Sequence, residues 1–419
     1  MSQTKKIAVI GFGHRGLGLL EDAILPSCED YKVEVAAVFD LFPDRTQKAA
    51  KVVLDKTGKE ALAAESYQQI LDDPQIDAVI ITAAWEAHTD MAVAAMRAGK
   101  HAAIEVGGAY CIEDCWKLVE TYEQTGKHCM MLENCCYGEK ELFVLNMVRQ
   151  GMFGEIVHCE GGYHHSLGGE ITGGKETKHY RLRNYLNRNC ENYPTHELGP
   201  IAKILGINNG NRMLSLTSTA SCAKGLNHYA KKHRGADDPL ASAAFAQGDI
   251  VTTVIKCAKG QTITLTLDTT LPRSYSRGFT IRGTKGAYFE DTNMVFLEDV
   301  HDAHHDDGTP LVGNGKEYAK SCAHPLWKDY DPKGGHGGMD YLVVSAFFEA
   351  LVAGKRPPID TYDTAAWMAI TPLSEQSIII GSAPVMIPDF TRGKWYQRKD
   401  IDDTLIHNLD VKDVFAELY

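Results

Sequence analysis

The chain has 419 residues, 44% of them hydrophobic and 23% charged, which suits two domains that each bury a core. Its formal charge of −12, with His counted neutral, repels phosphate backbones and anionic lipid, so neither nucleic acid nor a membrane surface is expected as a partner. No apolar run is long enough for a membrane-spanning helix, and the opening MSQTKKIAVIGFG enters a strand at once without an apolar signal region, so a cytoplasmic location is expected. The eleven cysteines include no C-x-x-C pair, which points to free thiols in a reducing compartment and to no metal site.

The first element is the strand KIAVI (6–10), which runs directly into Gly11-Phe12-Gly13-His14-Arg15-Gly16. A G-x-G-x-x-G set between a strand and a helical pattern is the context a dinucleotide loop needs. Gly11 permits the tight turn, Gly13 lets the backbone approach a pyrophosphate, and Gly16 allows close helix-to-strand packing. The following helix start offers free N–H groups to the phosphates. A second strand, VEVAAVF (33–39), ends at Asp40, whose carboxylate suits the ribose hydroxyls of NAD and repels a 2′-phosphate. Arg45, nearby, leaves the 2′-phosphate form open.

A short helix over 66–71, a strand over 76–82, a helix over 88–98 ending at Gly99 and a strand over 101–106 follow in turn. This alternation with short connections predicts a Rossmann-type, doubly wound parallel sheet over residues 1–130. The loops around Ala83-Ala84-Trp85 and Glu105-Val106-Gly107 are expected to line the cofactor cleft at the carboxyl ends of the strands, and His88 either lines that cleft or simply starts a helix.

From about residue 130 the pattern changes. An apolar helix over 141–150 is followed by half-buried strands. In GQTITLTLDTT (260–270), Ile263, Leu265 and Leu267 point one way and the intervening threonines the other. GFTIRGTKGAYFE (278–290) reads as two strands about a Gly-containing turn, and helices return over 341–353 and 365–380. The fold class is therefore α/β, with an α+β domain over 131–419 that carries a large, mostly antiparallel open sheet. HDAHHDDGTP (301–310) concentrates His and Asp without ligand spacing and reads as a solvated loop.

Chemistry concentrates in Asn192-Tyr193-Pro194-Thr195-His196-Glu197-Leu198-Gly199-Pro200. Pro194 resists a helix before it and Thr195 can cap one that begins near His196, which places Tyr193 and His196 at a helix start. Imidazole is the natural proton shuttle near neutrality, and a phenol can share a proton with a reacting hydroxyl. Glu160 and Tyr163 in HCEGGYHH have odd spacing and reach one ligand only if Gly161-Gly162 bends the strand. Tyr180, Arg181 and Arg183 in HYRLRNY can anchor hydroxyls or be solvated. In GGHGGMDY (334–341), Asp340 can cap a helix and His336 can reach the cleft.

The glycine loop, the strand ending in Glu105 and the second-domain sheet resemble the Gfo/Idh/MocA oxidoreductases. That family carries Glu-Lys-Pro, with a catalytic Lys, where this chain has Glu105-Val106-Gly107. The runs KHAAIEV, HCMMLENCCYG, LNMVRQGMFGE, NYPTHELGP and GHGGMDY together resemble glycoside hydrolase family 109, whose members are NAD-dependent α-N-acetylgalactosaminidase-like enzymes. The chain departs from that pattern at Gly107, where Pro is expected, and at Glu197, where Gly is expected.

The resemblance implies NAD as a recycled cofactor and a carbohydrate or glycoside as substrate. It also implies a reaction by oxidation at sugar C3, elimination across C1–C2, hydration and re-reduction. It implies Tyr193 and His196 as the acid/base pair, then Glu160, Tyr163 and Tyr180, with Gly11, Gly13, His14, Arg15, Gly16, Asp40, Trp85, His88, Glu105 and Asn134 toward the cofactor. It further implies a homo-oligomer. A sugar 3-dehydrogenase that keeps its oxidised product is the alternative, and a non-enzymatic NAD-binding sensor a remoter one.

Overall fold

A computed structural model describes residues 4–301, 311–398 and 404–411, so all of 301–310 except His301 lies outside the described residues. The chain forms two units. The first gathers the residues up to Gly138 together with Pro325–Ala366 and Arg398–Asp410; the second holds Glu139–His324 and Trp367–Gln397. The units therefore do not follow a single cut near residue 130, because the chain returns to the first one after the second has formed.

In the first unit, β1 (Lys5–Ile10), β2 (Val33–Phe39), β3 (Leu62–Ala63), β4 (Ala78–Ile81), β5 (His101–Ile104) and β6 (Cys129–Met131) make one sheet in the order β3-β2-β1-β4-β5-β6. Every pairing is parallel. Ile7, Val9, Val79, Ile80 and Ala103 have no exposed surface, as strands covered on both faces require. The order reverses between β1 and β4, which places the crevice of a doubly wound sheet at the carboxyl ends of those strands.

The returning segment explains itself through the open edge of β6. Thr361 Oγ1 accepts the Cys129 amide at 2.8 Å, and Thr364 Oγ1 accepts the Met131 amide at 3.0 Å and donates to the Cys129 carbonyl at 3.1 Å. Two hydroxyls thus satisfy an edge that would otherwise offer bare backbone groups. The helix Met339–Ala353 also belongs to this unit, and its Ser345 hydroxyl meets that of Ser27 at 3.1 Å.

In the second unit, β7 (Ile156–His164), β8 (Met213–Ala220), β9 (Ile250–Cys257), β10 (Thr262–Asp268), β11 (Thr280–Gly283), β12 (Gly286–Phe289), β13 (Met294–Leu297) and β14 (Val385–Met386) form a sheet in the order β13-β12-β11-β7-β10-β9-β8-β14. Only the β7–β10 pairing is parallel. Along β10 burial alternates, with Ile263, Leu265 and Leu267 inside and the threonines half-exposed, as period-two patterning expects.

Two helices differ from the sequence reading by more than two residues at an end. The helix expected over 88–98 starts at Trp85, because the buried indole is already anchored there. The helix expected over 365–380 is two, Thr361–Met368 and Ile370–Ile379. Pro372 has no N–H to give the carbonyl of Met368, and the hydrogen-bond ladder breaks at that point. All eleven cysteines are free.

Candidate active site

The crevice of the first unit is built around the glycine loop. Gly11 has φ +93°, and a side chain on it would lie 2.6 Å from the Ala83 amide nitrogen. A Cβ on Gly16 would lie 2.1 Å from the Gly11 carbonyl oxygen, so both positions are closed by the protein itself. Gly13 differs. Its φ is −64°, and a Cβ there would meet nothing closer than Arg45 Nη1 at 4.0 Å. The space over Gly13 is open, as a phosphate approaching the backbone would need.

His14 is exposed at the start of the helix His14–Leu19. Asp40, buried at the end of β2, accepts the Phe12 amide at 2.5 Å and the Phe42 amide at 2.9 Å. Each carboxylate oxygen keeps further accepting capacity for ribose hydroxyls. The Arg45 guanidinium lies over the Phe42 ring, 4.7 Å from its centroid.

On the other side of the crevice, Trp85 Nε1 donates to the Val106 carbonyl at 2.9 Å. A Cβ on Gly107 would lie 2.5 Å from Trp85 Cδ1. The indole covering this loop is the physical reason for glycine at 107. His88 is buried, its Nε2 lies 2.9 Å from the Ala83 carbonyl, and burial pushes its imidazole down to about 4. It is a neutral wall of the crevice.

Arg15 Nε donates to Glu105 at 2.7 Å, while its two terminal nitrogens grip Asp340 at 2.5 and 2.9 Å. Asn134 Nδ2 donates to the same Asp340 at 2.7 Å, and His336 Nδ1 lies 2.8 Å from it. Burial works against the Asp340 anion, but His336 and Arg15 override it and hold the carboxyl well below the usual carboxylate range.

The second unit holds an aromatic cluster. The Tyr163 and Tyr193 rings lie 4.4 Å apart, and His196 lies 4.7 Å from Tyr193 and 5.2 Å from Tyr163. The Tyr163 hydroxyl is 3.3 Å from His165 Nδ1, and the Tyr275 ring stands 5.2 Å from that of His165. Arg181, buried, lies over the Tyr193 ring at 5.1 Å, and its Nε is 3.1 Å from Glu170. Phenols, imidazoles and one guanidinium thus share a patch able to bind hydroxyls and move protons.

Tyr193 and His196 meet as the sequence suggests, but not through the expected cap. The helix is Thr195–Ile204, its N-cap is Pro194 in αR geometry, and Thr195 is its first residue, with the buried Oγ1 lacking a hydrogen-bond partner. Pro200 inside this helix has no amide to give the His196 carbonyl.

Glu160 does not join the cluster. β7 keeps an unbroken register against β10 from His158 to His164, so Gly161-Gly162 introduces no bend. Glu160 is exposed on the opposite face from buried Cys159 and Tyr163, and it pairs with His158 at 3.1 Å. Tyr180 precedes the helix Arg181–Asn187 and stacks on His179 at 4.4 Å.

Three features escaped the sequence reading. His165, one residue past β7, falls on the side of Tyr163 by simple alternation, a signal that was available. Arg277 and Glu191 gave none. Buried Arg277 pairs with Glu197 at 2.6 Å and with Glu141, and stands 3.9 Å from Glu290. Burial pushes the Glu141 and Glu197 carboxyls up against the pull of Arg277, while Arg277 and Lys140 hold that of Glu290 down despite its burial. Glu191, two residues before Tyr193, is buried with Oε2 unpartnered, and burial pushes its carboxyl up to about 8.

Two families match successive parts of the chain. Residues 5–133 match the oxidoreductase family with an NAD-binding Rossmann fold, and residues 137–397 match the glycosyl hydrolase 109 C-terminal domain. An alpha-N-acetylgalactosaminidase of Tannerella forsythia is 42% identical over 355 residues, covering 80% of this chain and 75% of that protein. One from Shewanella oneidensis is 38% identical over 410 residues, covering 94% and 87%. Among solved structures, a levoglucosan dehydrogenase in complex with NADH and levoglucosan superimposes with a TM-score of 0.69 over 92% of this chain and all of its own. At 18% identity that likeness shows the fold alone. The chain belongs to glycosyl hydrolase family 109 and couples an NAD-binding Rossmann domain to that family's C-terminal domain.

Proposed function

We propose that this glycosidase releases N-acetylgalactosamine from α-glycosides by a redox detour, with NAD retained and regenerated in each turnover. The observation that carries the reading is the Tyr163–Tyr193–His196 cluster, where two phenols and an imidazole stand within 5.2 Å of one another, ring to ring. When bound, the cofactor supplies a hydride acceptor at sugar C3 and returns the hydride after hydration.

The chain's own residues account for the rest. Gly13 and the helix start behind it accommodate a pyrophosphate, and Asp40 accepts from ribose hydroxyls. The imidazole of His196 takes the proton that oxidation at C3 makes acidic at C2. The Tyr193 phenol holds or accepts the proton of the C3 hydroxyl. Arg181 and Tyr163 orient the sugar through its hydroxyls. Val106 and Gly107 stand where the dehydrogenase motif has its Lys and Pro, so the catalytic ammonium of that motif is missing and proton handling falls to the Tyr/His pair.

The test is cleavage of 4-nitrophenyl α-N-acetylgalactosaminide in D₂O. Aglycone release without accumulation of NADH, with deuterium at C2 of the sugar, is expected. Cleavage that keeps the C2 hydrogen would overturn the detour, and NADH accumulating with an oxidised sugar would make the protein a dehydrogenase.

A further inference from the structure

The topology divides the cofactor crevice. Asp40 ends β2, so the adenosine half of a dinucleotide belongs on the β2 side of the β1/β4 switch point. The nicotinamide half then belongs on the β4–β5 side, where Glu105 follows β5. At this half, Arg15 is clamped between the carboxylates of Glu105 and Asp340. With His336 counted as neutral, the formal charges of the three groups sum to −1.

Asp340 is there by construction. The turn before it passes through His336, Gly337 and Gly338, all at positive φ, and a Cβ on Gly335 would lie 2.5 Å from Asp340 Oδ2. Asn134 gives the carboxylate a further hydrogen bond, and Asp340 is 1% exposed. An anion this well partnered stays ionised although buried.

We infer that Asp340, acting with Glu105, biases the bound dinucleotide toward its oxidised form. The oxidised nicotinamide ring carries a positive charge and the reduced ring carries none, so a net negative site on that side of the crevice stabilises the oxidised state selectively. The inference deepens the reading of NAD as a recycled cofactor: an enzyme that must end each turnover with its cofactor oxidised gains from a site that favours return of the hydride to the sugar. Arg15 is the hinge of the device, since it holds the two carboxylates together and compensates only one of them.

The experiment is competitive exchange of NAD⁺ and NADH on the full-length protein, with bound NADH read by its fluorescence. Asp340→Asn, which removes one negative charge at nearly constant shape, is expected to shift the NAD⁺:NADH affinity ratio about tenfold toward NADH, about 30 mV for a two-electron couple. Glu105→Gln should shift it in the same direction. Asn134→Ala removes a hydrogen bond to Asp340 without removing charge, and should leave the ratio within about twofold. If Asp340→Asn does not fold, Glu105→Gln and Asn134→Ala carry the comparison. An unchanged ratio in the charge variants, or an equal shift in Asn134→Ala, overturns the inference. Glycoside cleavage does not enter this readout, so it stands or falls apart from the proposed hydrolysis.

Discussion

Tyr193 and His196 stand edge to face, their ring centroids 4.7 Å apart and their planes at 89°. Two rings set perpendicular to one another can each address a separate atom of one substrate. If His196 is the base at C2, His196→Gln should lower kcat by about 10²–10⁴ with little change in melting temperature or NAD affinity. Tyr193→Phe should lower it less, because a phenol that holds a proton is more easily replaced by water. A His196→Gln enzyme within tenfold of wild type would assign the base elsewhere.

The glycine loop makes a sharper separation between fold and ligand. Gly13→Ala places a methyl group in open space at an ordinary φ, so stability should hold within about 1 kcal/mol while NAD affinity falls at least about tenfold. Gly16→Ala places it against the Gly11 carbonyl and should destabilise the protein by roughly 1–3 kcal/mol. Urea unfolding and NAD titration on both variants check this. A Gly13→Ala protein with wild-type affinity would show that no phosphate approaches there.

Much of this was legible from periodicity and turn chemistry. The β10 alternation of Ile263, Leu265 and Leu267 and the strand–glycine–helix order at Gly11 are local patterns, and local patterns are what a sequence displays. What was not legible is non-local. Ser27 meets Ser345, and Thr361 seals the edge at Cys129, across more than two hundred residues with no compositional mark. Arg277 sits in an unremarkable RSYSRGF, and only the fold surrounds it with carboxylates. Glu160 shows the converse. The glycines beside it left a bend open, but the parallel register with β10 runs unbroken past them and leaves Glu160 on the exposed face.

Glu197 belongs to that buried cluster, and Gly161 makes room for it: a Cβ on Gly161 would lie 2.4 Å from Glu197 Cβ. The fold has accepted an extra carboxyl in the helix that carries His196 and compensates it with Arg277. Arg277→Met should therefore cost about 3–5 kcal/mol at neutral pH, because the acids lose their buried cation. The cost should shrink as the pH falls and the carboxyls take up protons. Urea unfolding at several pH values tests this, and a loss below about 1 kcal/mol at neutral pH would mean that the acids are already neutral without Arg277.

Glu191 makes a prediction of a different kind. Its carboxyl is pushed up to about 8 by burial, against about 4.3 for an unfolded Glu. Between these values the folded protein binds a proton that the unfolded chain does not. Stability attributable to this group is therefore complete below about pH 4 and drains away as the pH rises toward 8, after which the loss levels off. Glu191→Gln keeps the shape and has no charge to bury. It should match the wild type near pH 4 and exceed it by roughly 5 kcal/mol at pH 9, with the difference opening through that window. A difference that does not vary with pH would mean that Glu191 ionises normally, its unpartnered oxygen solvated by water. If activity of the Glu191→Gln protein also survives at high pH where that of the wild type declines, the decline follows from ionisation of Glu191, whose Oε1 accepts the Tyr193 amide at 3.4 Å.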